Sequence, residues 1–449
     1  MRLSDGERLN YSIGGNGMKI SNIIALTCIA VVGYMTYAMQ PIERGESSAM
    51  AAARGEEQNI PTLQQKTAES IARQIHDEKK SSFMFYGDEV QLNEFPSQFR
   101  DLVAEAYYRL YPEEMAHWRL VQEIRGDGNS IKALPDGTFV SAIAYNELER
   151  RIERWRLQDD GTFQVSQGIA IENRQIGIAA SSDGNLLAVG WTVPISVYGR
   201  GAGDQFVLLQ GDILIGVARF NKVTKAIYNG PSGKTLVVSY TGADGRMRLS
   251  IFSWDNMNNR FELIQDFVDR YYDSISFNST GDRFVAIRSS DDTLQIWSHN
   301  QDTGMFGITT DLGSESPAYA VFSPDDRYIA YTDRSRSNNT YRLVIKSITP
   351  QGAITELQNI PLQHKYYFDL KFSADGQQIA LATALGVEVW QNINNNFKRI
   401  FTVPTGKTFK VALLKDDYLV SSQQRSLRIF KLRRLSTEEI WDHILLGLE

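Results

Sequence analysis

Ser279-Thr280-Gly281-Asp282, then Arg283-Phe284-Val285-Ala286-Ile287, then Thr293-Leu294-Gln295-Ile296-Trp297 follow one another as a tight turn and two runs that alternate apolar and polar residues. Alternation with period two is the pattern of half-buried strands. The same punctuation recurs at Leu134-Pro135-Asp136-Gly137, Ser182-Asp183-Gly184, Pro231-Ser232-Gly233-Lys234, Ser323-Pro324-Asp325-Asp326, Ser373-Ala374-Asp375-Gly376 and Lys415-Asp416-Asp417. Neighbouring turns lie about 41 to 50 residues apart, the length of a four-stranded blade. The repeat predicts an all-β, seven-bladed β-propeller. Six or eight blades stay open, because the first and last units are the least regular.

The third run of a unit tends to end in an aromatic residue: Trp155, Trp254, Trp297, Trp390 and Phe430 hold this place, and Trp254-Asp255 is a literal Trp-Asp pair. Together with turns such as Phe322-Ser323-Pro324-Asp325-Asp326 and Phe372-Ser373-Ala374-Asp375-Gly376, this resembles the WD-repeat propellers over roughly residues 118 to 435. No unit carries the Gly-His pair that opens many WD repeats, so the resemblance is to a divergent, bacterial WD-like or Tol-type propeller. It implies that the tryptophans are wedges between blades rather than ligand-stacking groups. Ring closure needs a strand from the other terminus, and Trp118 to Ile124 has the character to complete the blade formed by Phe409 to Lys431. Such pairing hides sheet edges that would otherwise invite aggregation.

Hydrophobic residues make up 42% of the chain and charged residues 22%, which excludes a wholly disordered protein. A net charge of −6 argues against a general nucleic-acid binder, which needs clustered Lys and Arg. Cys28 is the only cysteine, so no intramolecular disulfide and no cysteine-based metal site can form. His76, His117, His299, His364 and His443 lack metal-ligand spacing. No metal and no cofactor is expected.

Residues 20–39 carry no charge and are long enough to cross a bilayer as a single helix. The rivals are a cleaved signal peptide, with Met18-Lys19 as its start and Thr36-Tyr37-Ala38 as its cleavage site, and a lipoprotein signal ending at Cys28. Arg2, Arg8 and Lys19 before the segment against Arg44 and Arg54 after it favour a cytoplasmic N-terminus and a periplasmic or otherwise extracytoplasmic propeller. The expected organisation is a tail at 1–19, a transmembrane helix at 20–39, a tether and helical region at 40–117, the propeller at 118–435 and an amphipathic helix at 436–449.

Thr62 and Gln65 form a capping box before a helix at 63–80, whose Ile71 and Ile75 give a narrow apolar stripe, suited to solvent or to a partner. Pro96-Ser97 opens a stronger helix with Phe99, Leu102, Val103, Ala106, Tyr107 and Leu110 on one face. The propeller is the simplest cover for that face, and a membrane partner the alternative. At the C-terminus, Ser436 and Glu439 form another capping box, and Ile440, Trp441, Ile444, Leu445 and Leu448 offer an apolar face for docking, on the propeller or on a second protein.

Two blade entries repeat a triplet, Arg270-Tyr271-Tyr272 and Lys365-Tyr366-Tyr367, at one offset from Gly281 and Gly376. Tyr and Arg dominate interface hot spots, so these six residues, with Arg334 and Arg336, are candidates for binding a peptide or anionic partner. No GxSxG elbow, phosphate loop or dinucleotide fingerprint is present. Asp183, Asp325, Asp326 and Asp375 sit in hairpins, where Asp caps the turn. The sequence therefore points to a membrane-anchored, non-enzymatic scaffold or accessory subunit of an envelope complex, held in the bilayer through residues 20–39. The alternative is a lactonase-like or hydrolase-like propeller, or a small-ligand sensor, with its site at the channel mouth.

Overall fold

The computed structural model describes residues 63–446 apart from 86–87, 93–94, 96, 112–115, 147–148, 172–176, 182, 191–194, 214–224, 230–234, 243, 350 and 365. The expected transmembrane segment, tether and Thr62 cap, the turn at 231–234, Ser182 and Lys365 lie outside the described residues. Among the described residues no helix is long and apolar enough to cross a membrane.

The chain forms two compact units, one of residues 117–433 and one of residues up to 116 together with 434–449. The larger unit is a seven-bladed propeller: seven antiparallel sheets of four strands each. The innermost strands of blades 1 to 7 are Asp127–Ala133, Gly177–Ala180, Lys225–Asn229, Tyr272–Phe277, Pro317–Phe322, Tyr367–Phe372 and Lys410–Leu413. Each lies beside the next, and the last beside the first, so they wall a central channel. Blade 7 takes its outer strand, Ala116–Arg125, from the start of the propeller, hydrogen-bonded beside Ser426–Arg434. This closure is the one expected from Trp118 to Ile124.

Four of the five aromatic wedges are buried, and Trp254 is half-buried. Trp155, Trp297, Trp390 and Phe430 are each less than 9% exposed, and Trp155 and Trp297 stack on Phe139 and Phe284 of the neighbouring strand. Flat rings held against the sheet fill the taper between blades with large apolar area. The hairpin aspartates cap their turns as expected: Asp183, Asp325 and Asp375 accept the backbone N–H two residues on. Asp326 reaches across to blade 4 and accepts from the Ser279 N–H at 2.6 Å.

A further inter-blade device has no short-range signature. Gln122 accepts the Phe163 N–H at 2.8 Å and donates to the Phe163 carbonyl at 2.9 Å. Gln167 grips Phe206, Gln210 Phe261, Gln265 Phe306 and Gln358 Phe397 in the same two-point way. A primary amide offers one donor and one acceptor in a plane, matching the N–H and C=O of one residue on the next blade. Gln122 makes the clasp at the ring's closure, so Gln122→Ala will lower stability by about 2 kcal/mol by leaving two backbone groups unpaired. Urea unfolding measures it, and Gln122→Glu will recover less than half, because a carboxylate cannot donate to the Phe163 carbonyl.

The smaller unit has its own core. Helices α1 (Leu63–Glu78), α2 (Ser97–Leu110) and α3 (Thr437–Leu446) bury Ala68, Ile71, Ala72, Ile75, Val103, Ala104, Ala106, Tyr107, Ile440, Trp441 and Ile444 together, with the hairpin Ser82–Phe85 and Asp88–Gln91 contributing Phe83. This corrects the expectation that the α1 stripe faces solvent or a partner: Ala68 and Ala72 widen it, letting the helices approach closely. The apolar faces of α2 and α3 likewise have their cover within this unit. Ser436 and Glu439 make the expected reciprocal capping bonds at 2.8 and 3.1 Å.

Candidate active site in the central channel

The inner strands run antiparallel to their neighbours within each blade, so residues two apart share a face. In blade 1 Ser130 meets the Ile178 N–H of blade 2 at 3.3 Å, and in blade 4 Ser274 accepts the Ala320 N–H of blade 5 at 3.1 Å. Counted back from the turn, Asp369 of blade 6 occupies the same place and accepts the Val411 N–H of blade 7 at 3.3 Å. A hydroxyl serves as this rung twice, so the rung alone does not call for a carboxylate. What blade 6 adds is charge.

Asp369 is nearly buried, and its Oδ1 accepts from Lys371 Nζ at 2.9 Å, with Lys410 Nζ at 4.0 Å. Burial pushes its carboxyl upward, but Lys371 and Lys410 outweigh that and bring it down to about 2. Lys132 of blade 1 shares the field of these three groups. Desolvation, with repulsion from Lys371 and Lys410 only partly offset by Asp369, lowers its ammonium to about 8. Tyr319 of blade 5 lies beneath Lys410 Nζ, 6.0 Å from its ring centre. Its phenol is raised to about 12 by desolvation and by Asp369 and Asp273, so it stays a hydroxyl. Three lysines thus share the field of Asp369. The site can hold an anion, and at mildly alkaline pH it offers a neutral amine that accepts a proton.

The residues singled out from the sequence fall elsewhere. Tyr272 and Tyr367 are buried at the starts of inner strands, Tyr272 donating to Gln295 at 3.1 Å and Tyr367 accepting the His364 N–H at 2.9 Å. Tyr366 is exposed and Tyr271 half-buried. Arg270 lies over the Phe267 and Trp297 rings. Arg334 donates to Asn339, and Arg336 pairs with Asp292 at 2.9 Å. Ile440, Trp441 and Ile444 are buried in the helical core, with Leu445 packed against it. The sequence reading missed Lys132, Tyr319, Asp369, Lys371 and Lys410. The signal available was charge at strand positions that should be apolar, above all Asp369 and Lys371 flanking Leu370.

Among the described residues no cluster of His, Cys, Asp and Glu could hold a metal ion. No protein-family model matches the chain, and no curated protein matches it. Solved structures similar to it include a Bacteroides fragilis NCTC 9343 protein provisionally named a 6-phosphogluconolactonase (12% identity, 62% of this chain and 85% of that one, TM-score 0.47). Another is a Lactobacillus plantarum protein (12%, 62% and 86%, TM-score 0.48). A third is a Bacteroides uniformis ATCC 8492 protein with the same provisional name as the first (12%, 61% and 85%, TM-score 0.45). The likeness is one of fold. The expectation of a non-enzymatic scaffold is corrected on the channel itself: Asp369, Lys371 and Lys410 are gathered there from two separate blades, so missing linear motifs give no ground for calling this chain inert.

Proposed function

We propose that the propeller is a hydrolase of small anionic esters or lactones, with its site in the central channel. The observation that carries this is the placing of Lys132, Lys371 and Lys410 around one ionised Asp369 on three neighbouring inner strands. Lys371 and Lys410 hold the substrate's anionic group. The Lys132 amine takes a proton from water as its oxygen attacks the carbonyl carbon. The nearby ammonium groups and the Tyr319 hydroxyl stabilise the oxyanion, and the Lys132 ammonium returns the proton to the departing alkoxide as the C–O bond breaks. Residues 20–39 support a second part of the reading, that this hydrolase is held at a membrane.

The test is hydrolysis of paired anionic and neutral lactones and aryl esters of equal size by the full chain. Wild type will favour the anionic member, and Lys371→Ala and Lys410→Ala will each raise KM for it about tenfold or more, a loss of roughly 1.4 kcal/mol of binding, with KM for the neutral member unchanged. No turnover of any member, or no preference by charge, contradicts the proposal.

A further inference from the structure

The third strands of several blades carry a polar residue two positions before the aromatic wedge: Glu153 before Trp155, Gln295 before Trp297 and Glu388 before Trp390. All three are buried. In blade 1 the Tyr145 hydroxyl bridges both Glu153 oxygens, at 2.9 and 2.8 Å. In blade 4 the Tyr272 hydroxyl donates to Gln295. In blade 6 the residue matching Tyr272 is Tyr367, whose hydroxyl oxygen accepts the His364 N–H and is not hydrogen-bonded to Glu388. Glu388 is left with one hydrogen bond, from Trp390 Nε1 to Oε2 at 3.2 Å. Its Oε1 has none, although Glu388 is only 1% exposed. His364 Nε2 at 3.5 Å and Arg399 Nη1 at 3.6 Å lie near it without making that bond.

A buried acceptor without a donor is costly, and such an atom calls for a ligand or an ordered group. Glu388 lines a cavity of about 220 Å³ together with Pro361, Leu362, Gln363, Trp390 and Arg399. That is room for roughly seven waters at liquid density, below the size of most drug-like ligand sites. The wall carries a carboxylate oxygen in need of a donor and, 3.6 Å from it, a half-exposed guanidinium, and Pro361, Leu362 and Trp390 supply apolar surface.

We infer that this pocket, which belongs to blades 5 and 6 and is separate from the channel, binds a free amino acid as a zwitterion. Its ammonium donates to Glu388 Oε1, its carboxylate sits on Arg399, and its side chain lies along Leu362 and Trp390. Size and the two opposite charges exclude simple amines and simple carboxylates as good ligands.

Isothermal titration of the full-length protein with each of the proteinogenic amino acids tests this. At least one will bind, its amide and its N-acetyl form will each bind about tenfold more weakly or worse, and Glu388→Gln will weaken binding by about tenfold or more. Arg399→Gln, at a half-exposed position, will do the same, so that a folding defect in the Glu388 variant would not mask the result. The inference is overturned if no amino acid binds wild type, if the blocked forms bind equally well, or if both folded variants retain full affinity. Channel hydrolysis is unaffected by either variant, so this outcome and that of the proposed activity are read separately.

Discussion

Lys132→Met will reduce hydrolysis at least about a hundredfold, the usual contribution of a positioned proton acceptor, and will at the same time make the propeller more stable at neutral pH. The two effects share a cause. The folded protein holds this ammonium near 8 instead of its ordinary 10.5, chiefly through desolvation, so the native state binds the proton less readily than the unfolded chain does. Below about pH 8 the lysine is charged in both states and folding bears the full cost of burying it. Between 8 and 10.5 only the unfolded chain stays protonated, so wild-type stability rises with pH over that window. A shift of that size corresponds to about 3 kcal/mol, and solvent screening of this half-buried side chain reduces it to roughly 1–2 kcal/mol. Methionine keeps the stem and removes the charge. Its gain will be full below pH 8 and gone above pH 10.5, as read by thermal unfolding across that range. A loss of stability at pH 7 would mean that Lys132 is a structural ion-pair partner.

Arg154→Ala will cost about 2–3 kcal/mol, the usual loss when a charged hydrogen-bonding group is removed from part-buried partners. Arg154 is 3% exposed on the third strand of blade 1. Its Nη2 donates to Asp136 at 2.5 Å, its Nη1 to the Asp204 carbonyl at 2.6 Å and its Nε to Thr138 at 3.2 Å. Its guanidinium also lies over Phe206 of blade 2. One planar fork therefore joins the first turn of blade 1 to the loop before the outer strand of blade 2. Burial works against ionisation of Asp136, but Thr138, Arg200 and Arg154 outweigh it and hold the carboxyl well below the usual range. A depressed carboxylate stabilises the fold above its unfolded pKa and loses that contribution as pH falls through the folded value. In Arg154→Ala the acid unfolding midpoint will move to higher pH. Lys at 154 will recover little, because a point charge cannot meet three acceptors in one plane. Chemical unfolding at pH 7 and pH 4 measures both.

Much of the fold was legible because its signals are local. Turns such as Phe372-Ser373-Ala374-Asp375-Gly376 carry their own hydrogen-bonding chemistry, and strand alternation needs only a handful of residues. The closing strand was readable from an apolar pattern without a partner. The helical core was read less well: Ala68 and Ala72 carry little hydropathy, yet in contact they widen the stripe of Ile71 and Ile75 into a buried face. The channel site was not legible, since Lys132 and Lys410 are joined only by ring closure. The Gln clasps failed for the same reason, each pairing residues 39 to 51 positions apart. Adjacency drew attention instead to Arg270-Tyr271-Tyr272, of which Tyr272 is fully buried and bonded to Gln295.

The pH dependence of kcat/KM for the preferred anionic ester, in wild type and Asp369→Ser, tests the central claim most directly. Serine is the residue that fills this rung in blades 1 and 4, so the Val411 contact survives while the negative charge goes. Asp369 holds the Lys132 ammonium up against two neighbouring cations. The account predicts a rise in wild-type activity through about pH 8 and a shift of that limb to lower pH in the variant. A limb that stays in place, or full activity with no limb near 8, would contradict it.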